Sequence, residues 1–96
     1  MAAGEPIGVF PKDPDSIEPY TVDWGTLGWL GSDTIASSTW TVPAGITEVS
    51  ASSTTTVATI LLSGGTSGAS YSLVNEITTA AGLKDNRTIQ IDMIER

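Results

Sequence analysis

Gly68-Ala69-Ser70-Tyr71-Ser72-Leu73 is the stretch that decides the fold. A glycine-rich turn, Ser63-Gly64-Gly65-Thr66-Ser67-Gly68, leads straight into it. Gly-x-x-Tyr-x-hydrophobic ahead of a penultimate strand is the pattern of the tyrosine corner in immunoglobulin-like sandwiches. There the ring packs inward and the hydroxyl bonds back to upstream backbone. The plainer alternative makes Tyr71 an ordinary inward-facing strand residue. The turn directly before it favours the corner. Leu73 then falls where antibody domains keep their second Cys, and Trp40 is the counterpart core aromatic.

Strand signals extend on both sides of this point. Residues 17–24 carry Tyr20, Val22 and Trp24 on one parity, and residues 34–42 carry Ala36, Ser38, Trp40 and Val42. Pro43-Ala44-Gly45 then breaks the chain. Residues 46–53 form a weaker strand, and residues 57–62 are apolar on both faces, as in a buried strand. Tyr71, Leu73 and Ile77 share one face of residues 70–79. The cleanest alternation comes last, where Ile89, Ile91 and Met93 interleave with Thr88, Gln90 and Asp92. Six or seven short strands separated by turns predict an all-β, immunoglobulin-like antiparallel sandwich of about seven strands. Composition agrees: Ser and Thr supply 25 of 96 residues, and no segment holds a helical period.

The first sixteen residues read differently. Pro6, Pro11 and Pro14 fall close together, and proline blocks helix and holds its predecessor extended. Residues 1–16 are therefore predicted to be an extended N-terminal arm, with the sandwich domain spanning 17–96. A frayed terminus is the alternative. Val9, Phe10, Pro11 and Lys12 make a docking arm the better expectation, because a large ring is most useful where something buries it. A second candidate contact lies in Asp23-Trp24-Gly25-Thr26-Leu27-Gly28-Trp29-Leu30-Gly31. Trp24, Trp29 and Leu30 there could cap the core, anchor a partner or form a sugar-stacking platform.

Composition argues against chemistry. The chain has no Cys and no His, which removes thiolate nucleophiles, disulfides and the usual general base. Lys12 and Lys84 are the only lysines for a Ser–Lys pair. Asp13, Asp15, Asp23 and Asp33 lie in Pro- or Gly-flanked loops, where acids are ordinarily solvated, and their spacing fits no calcium loop. No catalytic residue, metal ligand or cofactor is expected. A net charge of −7 argues against nucleic acid and against anionic membrane surfaces. The N-terminus has no basic segment followed by an apolar one, so secretion by signal peptide is not expected.

Several segments together carry a resemblance. They are Phe10-Pro11-Lys12-Asp13-Pro14-Asp15, Val22-Asp23-Trp24, Trp29-Leu30-Gly31, the run from Asp33 to Gly45, Leu62-Ser63-Gly64-Gly65-Thr66 and Asn75-Glu76-Ile77-Thr78-Thr79-Ala80-Ala81-Gly82. In that order, over about residues 9–96, the chain resembles the small immunoglobulin-like phage fibre–tail adaptor proteins of the neck and tail of tailed bacteriophages. The resemblance implies a non-enzymatic virion protein made in the host cytoplasm and present in several copies arranged as a ring. Its partners would be tail, fibre or portal-proximal proteins. Two departures from the family pattern stand out: Gly25-Thr26-Leu27-Gly28 lengthens the link between the two Trp residues, and Ile91-Asp92-Met93-Ile94 is less basic than the usual last strand. A carbohydrate-binding module displayed on the virion is the alternative function.

Overall fold

The computed structural model describes residues 7–28 and 30–94. Seven strands occur in the order β1 (Val9–Lys12), β2 (Glu18–Asp23), β3 (Ile35–Thr41), β4 (Ile46–Ser53), β5 (Val57–Gly64), β6 (Ser70–Thr79) and β7 (Lys84–Met93). A single helical turn, α1 (Trp24–Leu27), follows β2. The strands form a four-stranded sheet, β1-β7-β6-β3, and a three-stranded sheet, β2-β5-β4. All pairings are antiparallel except that of β1 with β7.

The core lies between the sheets and follows from alternation. Leu73, Ile77, Ile89, Ile91 and Met93 point inward from one sheet, and Tyr20, Val22, Ala58, Ile60 and Leu62 from the other. β7 and β5 each have neighbours on both sides, so their inward residues are fully covered. The outward residues of β5 are half-buried, which explains why that stretch is apolar on both parities. In β3 a bulge between Ile35 and Ser37 resets the parity. Ile35 and then Ser38, Trp40 and Val42 face inward as a result, while Ala36, expected with them, is exposed.

α1 is a feature that strand periodicity could not show. The Asp23 carboxylate accepts the Thr26 N–H at 3.1 Å and caps the turn, and Gly28, with φ of 80°, ends it in the left-handed region.

The predicted boundary at residue 16 is corrected. Val9–Lys12 are an edge strand of the four-stranded sheet, in register with Gln90–Met93. The Ile7 N–H donates to the Thr88 carbonyl at 2.8 Å, so the sandwich extends to the first described residue. Residues 1–6, the remainder of the predicted arm, lie outside the described residues. The reason for the difference is chemical. Phe10 and Lys12 alternate with Val9 and Pro11 as a strand requires, and the sheet itself supplies what buries the ring.

Candidate functional site

The seven candidate contact residues divide into a buried set and an exposed set. Lys12 is fully buried, and its ammonium donates to the carbonyls of Asp13 (3.0 Å), Ser16 (2.6 Å) and Gly64 (2.9 Å). An ammonium has three protons and no acceptor, so three carbonyls match its donor count. The side chain ties β1 and the turn after it to the end of β5. Phe10 is half-buried and packs on Tyr20, with ring centroids 6.0 Å apart and planes at 51°. The Tyr20 hydroxyl donates to the Pro11 carbonyl at 2.8 Å. Val9 and Pro11 are exposed on the outer face, near Ile7.

Trp24 is corrected from candidate contact to core. It is fully buried, its indole N–H donates to Asn75 Oδ1 at 2.9 Å, and the Arg87 guanidinium lies 5.0 Å from the ring centroid. Asp85 in turn pairs with Arg87. Leu30 is buried as well. The longer link between the two Trp residues is where α1 forms, and Trp24 at its start continues the inward parity of Tyr20 and Val22. Trp29 lies outside the described residues. A sugar platform built on Trp24 and Trp29 together loses its first ring to the core.

The expected core residues fall on the inner faces. Leu73, Ile89 and Ile91 are fully buried, and Tyr71 and Trp40 are half-buried against them. Tyr71 sits at the start of the penultimate strand. Its hydroxyl accepts the Thr66 N–H at 3.1 Å, five residues upstream, which is the backward bond a tyrosine corner makes. The ring also closes on the turn between β3 and β4. A Cβ at Gly45, where φ is +101°, would stand 3.1 Å from it. Trp40 does not take the fully buried place, which belongs to Trp24.

Asn75 was missed. It is fully buried, accepts from Trp24, and donates to Ser38 Oγ at 2.8 Å and to the Thr39 carbonyl at 3.0 Å. The signal was present: position 75 has the inward parity of Leu73 and Ile77, and a polar residue there needs buried partners.

Three aspartates have lowered pKa values. Hydrogen bonds hold three carboxyls below the usual aspartate range: Thr26 for Asp23, Thr79 and then the Thr34 N–H for Asp33, and Gln90 and Ser70 for Asp92. Each is a stabilised anion at neutral pH, the opposite of a general acid. No group of three or more acidic side chains among the described residues could hold a metal ion. No helix among them is long and apolar enough to cross a membrane.

What remains is surface. Glu48 is the only charged side chain between Asp33 and Glu76. That stretch includes both strands on one side of the sandwich, β3 and β4, and most of β4 is exposed. On the opposite side, the edge strands β1 and β2 contain Pro11 and Pro19.

Comparison with known proteins follows the same lines. The family described as "Podophage GP4 fiber-tail adaptor protein gp77" matches residues 12–92. No curated protein sequence matches. Among solved structures, the solution structure of the PKD domain from KIAA 1837 protein superposes with a TM-score of 0.58 at 19% identity, covering 99% of this chain and 85% of that one. That likeness is one of fold: an immunoglobulin-like sandwich.

Proposed function

This chain belongs to the podophage GP4 fiber-tail adaptor family, and on that premise we propose that it is a non-enzymatic structural protein of a phage tail. It joins the tail or neck to fibres or to adjacent neck proteins, in several copies arranged as a ring. The observation that carries this reading is the family match, which spans nearly the whole sandwich from Lys12 at the end of β1 to Asp92 in β7.

The physical chemistry supports it. A sandwich with a pinned edge strand, a capped turn and an internal Trp–Asn–Ser network is a rigid spacer. Rigid surfaces lose less entropy on docking than flexible ones do. The acidic balance disfavours nucleic acid as a partner. With Lys12, Trp24 and Leu30 inside the fold, the parts available for contact are the outer face around Ile7, Val9 and Pro11, and the side formed by β3 and β4, where Glu48 is the one charge. Residues 1–6 and Trp29 remain candidate contacts on sequence grounds.

The test is genetic and structural at once. A phage with this reading frame interrupted is expected to fill heads but show tails without attached fibres in negative-stain images, with rescue by the chain supplied in trans. Normal fibre attachment in the interrupted phage would sink the proposal.

A further inference from the structure

The most informative region outside the residues singled out by sequence is the side of the sandwich where β3 and β4 meet. The four sheet edges are not equally protected. β1 and β2 contain Pro11 and Pro19, and proline withholds a ladder donor. The Pro11 carbonyl is further occupied by Tyr20. β4 is bent by a bulge between Glu48 and Ser50. β3 is irregular only at its start, and from Ser37 to Thr41 it carries no proline, no charge and no partner strand other than β6.

Two features on this side of the sandwich are left unsatisfied. Glu48, Ala51 and Ser53 pair with Leu62, Ile60 and Ala58 and so share the inner face of their sheet. Those three β5 residues are fully buried, yet all three β4 residues are exposed. β3 and β4 are tied at one end by the Ile35 N–H to the Thr55 carbonyl, at 2.8 Å, and at the other by the turn through Pro43-Ala44-Gly45. Between these ties the inner face of β4 is uncovered. Second, the indole nitrogen of Trp40, on the inner face of β3, is buried without a hydrogen-bond partner. A buried donor of that kind calls for an acceptor.

We infer that the free edge of β3 takes an additional strand from another protein. The strand lies where variable-type immunoglobulin domains carry an extra strand beside this sheet. It pairs with Ser37–Thr41 by main-chain hydrogen bonds and covers Ala51 and Ser53 with small or apolar side chains. It carries a Lys or Arg facing Glu48. A second copy of the chain fits less well. Each copy brings a net charge of −7, and there is no cation between Asp33 and Glu76 to meet Glu48. The inference rests on the adaptor reading and gives it a site and a partner chemistry.

The experiment is a ¹⁵N–¹H titration of the full chain with two synthetic ten-residue peptides of alternating Val and Thr, one with a central Lys and one with a central Glu. The Lys peptide is expected to shift the amides of Ser37–Thr41 and the Trp40 indole N–H. It should bind about three- to fivefold more tightly than the Glu peptide, the range of an exposed ion pair. Glu48→Lys, a change at an exposed position, should reverse the preference. Shifts confined to β1 or β2, no shifts at millimolar peptide, or a Lys preference unchanged in Glu48→Lys would each overturn the site. Such a result, with fibre loss still seen in the interrupted phage, removes the β3 site and leaves the adaptor role standing.

Discussion

Lys12 shows how one side chain can anchor an edge strand. A buried ammonium is costly unless every proton finds an acceptor, and here three carbonyls from three places in the chain accept. Lys12→Met keeps the length and removes the donors, leaving carbonyls of the β1–β2 turn and the end of β5 short of partners. The expected loss is about 3 kcal/mol, the upper range for a buried charged hydrogen bond, read as a shift in the urea midpoint. An unchanged midpoint would show that the ammonium is not holding the strand. Asp33 makes a different prediction. Its carboxyl accepts from Thr34 and Ala81, joining the start of β3 to the turn between β6 and β7. Hydrogen bonding, from the Thr79 side chain first and then the Thr34 N–H, lowers its pKa, as hydrogen bonds do for Asp23 and Asp92. Each contribution is therefore full above the ordinary aspartate value of about 3.9 and fades as the pH falls through the lower folded values. Urea unfolding at pH 7, 4 and 2.5 should show stability falling mainly below pH ~4, with a shallower fall in Asp33→Asn. An identical slope in that variant would remove Asp33 from the account.

Among the elements, β1 carries the largest revision. Treated as an arm, residues 1–16 would be dispensable for folding. The strand Val9–Lys12 within this segment instead supplies Phe10 to the core, Lys12 to the carbonyl cage and an acceptor to Tyr20. Deleting residues 1–16 should lower the melting temperature by more than about 10 °C, since about 3 kcal/mol or more is lost in a domain of this size. A truncated chain that melts with the full one would restore the arm. Alternation and turn residues made β2 through β7 legible, and the Gly68–Tyr71 pattern identified the corner that orients β6. The short parallel β1 was not legible, because a four-residue strand with Pro11 inside it and Pro6 and Pro14 on either side looks like an irregular tail. Trp24 shares the parity of Tyr20 and Val22, which pointed to the core, but the Gly-spaced segment after it left a partner contact equally open. Of the seven candidate contacts, only Val9 and Pro11 are exposed and Phe10 is half-buried. Lys12, Trp24 and Leu30 are buried, and Trp29 lies outside the described residues. The β3–β4 side was not legible either, because exposure of an inner face depends on how the two sheets diverge.

At the scale of the whole molecule, one side of the sandwich is closed by prolines and the other is open and carries a single charge, Glu48. A tail adaptor needs such asymmetry, since edges open on both sides would favour uncontrolled strand pairing. The net charge of −7 disfavours contact of one copy with another through like-charge repulsion. The most direct measurement is a cryo-electron microscopy map of the assembled phage at side-chain resolution. This chain is expected at the junction of tail and fibre, in repeated copies, with a neighbour's strand beside Ser37–Thr41 and a basic side chain at Glu48. Purified, infectious particles without the chain would contradict it.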